Sequence, residues 1–121
     1  MKYMLLIYGD ENALNEVERE HCYEESLRLI DEIKENGKFL GAGPLHHTST
    51  ATNVRVRDGK RLVTDGPFAE TKEQLGGYFL IDAKDLDEAI GYAARIPMAR
   101  RGTVEVRPVI ELAGLRAVAD G

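Results

Sequence analysis

A chain of 121 residues, with 43% hydrophobic and 31% charged residues, has room for one core and one domain. No apolar run approaches the ~18 residues that a membrane span needs, and the first residues lead straight into a strand pattern without the architecture of a signal peptide. A formal net charge of −5, with few aromatic residues, argues against a general nucleic-acid binder. The lone Cys22 cannot form an internal disulfide, which suits a reducing, cytoplasmic setting.

Residues 2–8 are nearly continuous apolar sequence, as expected of a strand covered on both faces. Gly9, Asp10, Glu11 and Asn12 end it. A helix is predicted over residues 15–36: Leu29, Cys22, Ile33, Ser26, Ile30, Tyr23 and Leu27 share one arc of the helical wheel, opposite Glu24, Asp31, Arg28, Glu35 and Glu32. Gly37 stops it. Residues 39–43 read as a short strand closed by Pro44, and 45–51 as a polar loop carrying His46 and His47.

Residues 52–57 and 60–64 flank Asp58-Gly59, a two-residue hairpin signal that puts Val54 opposite Val63 and Arg55 opposite Leu62. Residues 77–83 form another mostly apolar strand. A second helix over 85–96 begins with Asp85 and Glu88 at capping spacing, shows Leu86, Ala89, Ile90 and Ala93 on one face, and ends at Pro97. The last strand, 103–112, has Val104, Val106, Ile110 and Leu112 on one side; Pro108 marks part of it as edge or bulge. Residues 1–112 make the single domain, and 113–121 are expected to form a loose tail.

Strand–helix–strand, an inserted hairpin, then strand–helix–strand is an α+β, ferredoxin-like pattern with an antiparallel sheet and both helices on one face. Strands such as 4–7 and 78–81, apolar on both sides, need a second cover that the chain lacks. Two copies packed sheet to sheet supply it, so the expectation is a homodimer forming a dimeric α+β barrel. A ligand pocket is then expected between the sheets or under the hairpin.

Between the hairpin and the next strand lies Asp65-Gly66-Pro67-Phe68, followed by Ala69-Glu70-Thr71-Lys72-Glu73-Gln74-Leu75-Gly76-Gly77-Tyr78. Pro67 forces a turn, is expected to push Gly66 toward an extended conformation, and has no N–H to offer the Asp65 carboxylate in an Asx-turn. Asp65 must bond elsewhere: to a side chain, to water, to a ligand, or as a cap on a short segment over 68–74. With the later Val104-Glu105-Val106-Arg107-Pro108-Val109, this stretch resembles the DGPF-domain branch of the YCII-related proteins, over residues 2–111.

The resemblance implies the dimeric α+β barrel and a histidine–aspartate acid–base pair near the barrel mouth. By the motif the aspartate is Asp65; His46 and His47 are the candidate histidines, though neither aligns with the family's position, and His21 lies on the polar face of the first helix. A carboxylate orients an imidazole and raises its basicity. Lys72 could hold an anionic group near Asp65 or belong to a solvated Glu70–Lys72–Glu73 cluster. Tyr78, after two glycines, could donate its hydroxyl into a pocket or be a core aromatic. Arg107 could face the inter-sheet space, mated to Asp65 or an anion, or point outward. Arg55, Arg57, Lys60 and Arg61 make the hairpin locally basic, either to meet an acidic helix of a second subunit or protein partner, or as a solvated edge.

No Cys/His spacing suggests a metal, no glycine motif cradles phosphate and no serine sits in a nucleophile elbow, so no cofactor is expected. Two functions follow. One is binding of a small anionic metabolite with proton-transfer chemistry at Asp65, the isomerase, lyase and dehydrochlorinase class that the resemblance favours. The other, also implied by the resemblance, is a non-catalytic regulatory module with a protein partner linked to an extracytoplasmic-function sigma factor.

Overall fold

The computed structural model describes residues 1–114. The elements follow in the order β1 (Lys2–Gly9), α1 (Glu16–Glu35), β2 (Phe39–Pro44), β3 (Thr52–Arg57), β4 (Lys60–Asp65), β5 (Gln74–Asp82), α2 (Leu86–Ala94) and β6 (Thr103–Pro108). Four strands form one sheet in the order β2-β5-β1-β6, with every neighbouring pair antiparallel. β3 and β4 make a separate two-stranded sheet. The ferredoxin-like expectation holds, with the hairpin as an insertion between two strands that are neighbours in the sheet.

Local chemistry sets the helix ends. Asn15 accepts the Glu18 N–H at 2.8 Å while the Glu18 carboxylate accepts the Asn15 N–H at 3.1 Å, so two orphan donors of the first turn are satisfied. Asp85 accepts the Glu88 N–H at 2.9 Å and starts α2, but the Glu88 carboxylate accepts from Lys84 N–H and Lys38 instead of closing a box.

Alternation along the strands sends Tyr3 and Leu5 of β1 and Phe79 and Ile81 of β5 toward the helices. There they meet Leu29 and Ile33 of α1 and Ala89, Tyr92 and Ala93 of α2. Leu5, Ile33 and Ile81 are fully buried, each stabilising by about 1.5–3 kcal/mol. The α2 face differs from its wheel: Tyr92 is buried while Leu86 and Ile90 are about half exposed. A nine-residue helix can roll to bury one large ring, and the Tyr92 hydroxyl finds a partner in the Asn36 amide at 3.0 Å.

Among the described residues, no helix covers the opposite sheet face. It carries Met4, Leu6 and Leu80, half-buried, and the more exposed Tyr78, Glu105 and Arg107, with Met4 between Leu80 and Arg107 in register. The last strand is shorter than predicted. It runs on the sheet edge and ends at Pro108; one more bond, Val109 N–H to the Lys2 carbonyl, follows, and Ile110 and Leu112 are exposed. Residues 113 and 114 form a turn, and the rest of the expected tail lies outside the described residues.

The hairpin has its predicted register, Val54 opposite Val63 and Arg55 opposite Leu62. Asp58 (φ 51°) and Gly59 (φ 73°) both take positive φ, as a tight primed turn requires. Its strands touch almost nothing else: every residue of β3 and β4 is exposed except the half-buried Asn53. Two sequence expectations fail beside it. Residues 68–74 form no helix, so Asp65 caps none, and among the described residues nothing hydrogen-bonds its exposed carboxylate. Gly66 is not in the extended region but at φ 88°, where its N–H reaches the Ala51 carbonyl at 2.8 Å and its carbonyl accepts from the Asn53 amide at 2.6 Å. The turn is closed by one backbone bond and one from the Asn53 side chain, without help from the Asp65 side chain.

Candidate functional site

Helix α1 buries Leu29 and Ile33 against the sheet, and its neighbouring stripe of Tyr23, Leu27 and Ile30 stands off from β2. The gap is a cavity of about 860 Å³, walled on the other side by Phe39, Ala42, Gly43 and Pro44 of β2 and by Gly76, Gly77 and Phe79 of β5. Its size suits a small molecule. The backbones are packed closely behind it: a Cβ on Gly77 would lie 3.1 Å from the Gly43 carbonyl oxygen.

Both ends of the hairpin insertion stand at this cavity. Leu45, His46 and His47 leave β2 along its rim, and Gln74 and Gly76 bring the chain back, with Leu45 N–H bonded to the Gly76 carbonyl at 2.9 Å. On the rim sits a polar cluster. The Glu11 carboxylate, 15% exposed, accepts the Thr48 N–H at 2.7 Å and the Thr48 hydroxyl. The Glu11 N–H donates to Gln74 Oε1 at 3.1 Å. His47 starts the turn Thr48–Thr50, its Nδ1 accepting the Ser49 N–H at 3.1 Å. That bond leaves the neutral ring's proton on Nε2, which lies 3.5 Å from Glu11 Oε1. A histidine whose tautomer is set by a backbone donor, beside a carboxylate held by two bonds from Thr48, has the parts of a proton-transfer pair.

Of the six residues singled out from the sequence, His46 and His47 line the cavity, and Tyr78, which starts from the helix-free sheet face, reaches it over Gly43 of the edge strand β2. Tyr78 is no core aromatic in this chain: it is 36% exposed and lays its ring against Gly43, where a Cβ would be 3.3 Å from Cε1. Asp65, Lys72 and Arg107 do not line it. Asp65 is at the base of the hairpin, Lys72 is exposed in the loop before β5, and Arg107 is on the helix-free sheet face; among the described residues no ion pair joins Arg107 to Asp65 or Lys72 to a carboxylate. The cavity therefore lies between helix and sheet within one chain, not under the hairpin. Sequence reasoning missed Glu11, which looked like turn filler, and the cavity's own cations, Arg19 and Lys34. Lys34 Nζ rests 5.3 Å from the centre of the Phe39 ring. Only the fold brings Glu11 to His47, and no local spacing announces it.

Among the described residues, no group of three or more His, Cys, Asp or Glu side chains could hold a metal ion, and no helix is long and apolar enough to cross a membrane. The sequence profile of the YCII-related domain matches residues 1–113. The chain belongs to the YCII-related family. A relative, an uncharacterized protein of Rhizobium meliloti (strain 1021), is 39% identical over 114 residues, covering 90% of this chain and 92% of the relative. Among solved structures the chain is similar to a 5-chloro-2-hydroxyhydroquinone dehydrochlorinase from Burkholderia phenoliruptrix AC1100, bound to 2,5-dihydroxybenzoquinone. That likeness has a TM-score of 0.60 at 17% identity, over 93% of this chain and 97% of the other, and it is a likeness of fold.

Proposed function

We propose that this YCII-related protein binds a small anionic molecule in the α1–sheet cavity and moves a proton on it, with His47 as base or acid and Glu11 as the group that orients it. The observation carrying this is the Glu11–His47 pair on the rim of a cavity that also holds Arg19 and Lys34. The cations balance the charge of the ligand; Nε2–H of His47 faces Glu11, and Nδ1, on letting go of the Ser49 N–H, takes the ligand's proton, so that the imidazolium formed is neutralised by Glu11. Many lyase and isomerase reactions use such a transfer to or from a positioned side chain.

The second component is a homodimer, supported by the helix-free sheet face with Met4, Leu6 and Leu80. Asp65, Lys72 and Arg107 have a place in the chemistry only in space that a second copy encloses; Arg107, on that sheet face, is best placed to hold an anion there. The regulatory alternative, contact with a sigma-factor-linked protein in a cytoplasmic setting, draws on the uncovered hairpin and leaves the cavity without a role.

A first probe is 2,5-dihydroxybenzoquinone, an acidic enol of the kind that the cavity's charges suit, followed by other small enolic and carboxylic acids. The expected result is a ligand-induced rise in melting temperature that Lys34→Ala and Arg19→Ala remove. His47→Gln should preserve binding yet slow solvent deuterium exchange into a bound enolisable ligand by about 10²-fold. Exchange that proceeds equally in His47→Gln rules out His47 as the proton carrier, and Asp65→Asn with normal binding and exchange removes Asp65 from the site.

A further inference from the structure

A two-stranded ribbon is marginally stable alone in water, yet among the described residues the β3–β4 hairpin has little cover: all its strand residues but Asn53 are exposed, and Arg55 lies over the Phe68 ring. Residues directly opposite share a face, so Val54, Val63 and Val56 line one side of it, together with Arg61 near the tip and Asp65 at the base. The three valines are 56–62% exposed. Charge separates the hairpin from the rest of the protein. It carries Arg55, Arg57, Lys60 and Arg61 in a chain of net charge −5.

The complementary surface is on α1. Tyr23 and Leu27, 45% and 60% exposed, form the outer lip of the cavity. Next to them on the wheel run Glu20, Glu24 and Asp31, which among the described residues have no ion pair, unlike Glu18, Glu25 and Glu32 farther round. The helix thus has an apolar strip, with Lys34 between Tyr23 and Leu27, bordered by acids; the valine strip of the hairpin ends at Arg61, and Arg57 and Lys60, on the other face, make the tip beyond it basic. We infer that the hairpin is an arm exchanged between two copies of this chain, its valine face lying over the partner's α1 lip and its basic tip meeting the partner's acidic stripe. Docked there, the arm roofs a cavity that a single chain leaves open, and Asp65 faces the second copy. The proposal needs the homodimer but not the proton-transfer chemistry.

Hydrogen exchange of the full chain, followed at the amides of β3 and β4 over a range of protein concentrations, tests it while light scattering reports the dimer. Arm amides should exchange about tenfold more slowly once the dimer forms. R57E/R61E should erase that protection, E20R/E24R should erase it too, and the four changes together should restore it. These positions are exposed, and circular dichroism checks that each variant is folded. A dimer whose arm amides stay unprotected overturns the exchange of arms while leaving the dimer intact. Protection independent of concentration shows an arm folded onto its own chain, which overturns the proposal as well. Loss in R57E/R61E that E20R/E24R neither mimics nor restores places the arm elsewhere on the partner, away from the lip, and refutes the roof.

Discussion

The four-stranded frame and the β3–β4 arm are built from similar strand sequences, yet one is held from many directions and the other mainly by its own ladder. In the frame, every strand residue facing the helices is locked by partners far away in sequence: Leu5 from β1, Ile81 from β5 and Ile33 from α1 share one core. Helix α1 is further tied down by Arg95, Arg100 and Arg101, which pair with Glu32, Glu25 and Glu18. In the arm, the turn and the register obey local rules, and among the described residues its contacts beyond the ladder stay at its base, with Arg55 over the Phe68 ring and Asn53 bonded to the Gly66 carbonyl. Pairing signals suffice to shape a hairpin; they do not bury it. A hairpin kept bare in this way is available for another molecule, whereas the frame is committed to itself.

The sharpest way to break this contrast is truncation in each region. Ile33→Ala in the fully buried frame should cost about 2–5 kcal/mol in urea unfolding. Val54→Ala, measured at a concentration where the chain is monomeric, should stay within about 0.5 kcal/mol. Comparable losses at the two sites mean that the arm belongs to the frame after all.

Glycines make a finer comparison. A Cβ on Gly102 would stand 2.2 Å from the Tyr8 carbonyl oxygen, so Gly102→Ala should force β1 and β6 apart and cost about 1–3 kcal/mol of global stability. Gly66 has open space but φ 88°, so Gly66→Ala strains only the arm's base. It should raise exchange in β3 and β4 and barely move the melting temperature of the frame. A global effect as large as that of Gly102→Ala would contradict a separable arm.

The smallest expected effect concerns pH. Hydrogen bonds lower the Glu18, Glu25 and Glu32 carboxyls below their ordinary value of 4.5: for Glu18 first that from the Asn15 backbone and then that from Arg101, for Glu25 that from Arg100, for Glu32 that from Arg95. A carboxyl with a lowered folded-state value stabilises the fold above its unfolded value, and that contribution is lost as pH falls through the folded one. Unfolding midpoints should therefore drop below pH 4.5, and Arg100→Gln should flatten part of the drop. These groups lie at the surface, where solvent and salt screen them, so the change is modest. The arm, with no such pairs, should show no corresponding change in exchange.

Much of the frame was legible from residues close together in the chain. Asn15 and Glu18 announced the start of α1, Asp58-Gly59 set the hairpin register, and Pro108 marked an edge, because caps, turns and missing donors act within a few residues. The errors came where packing chose between local options. Tyr92 displaced Leu86 and Ile90 from the α2 core face, β6 stopped at Pro108 rather than Leu112, and Gly66 left the extended region because Ala51 and Asn53 hold it from outside. The same limit governed the site. His46, His47 and Tyr78 were picked as residue types in suggestive places, while their surroundings were out of reach.

What the chain's order of residues determined alone is the α+β alternation, the inserted hairpin and the unusual turn after Asp65. Tertiary structure alone decided that the cavity opens between α1 and β2, and that His47 lies 3.5 Å from a carboxylate 36 positions earlier. The reason is range. Helix caps and tight turns are fixed by dihedral preferences and bonds spanning three or four residues, whereas a cavity and its acid–base pair are sums of long-range contacts whose geometry exists only after the sheet has closed.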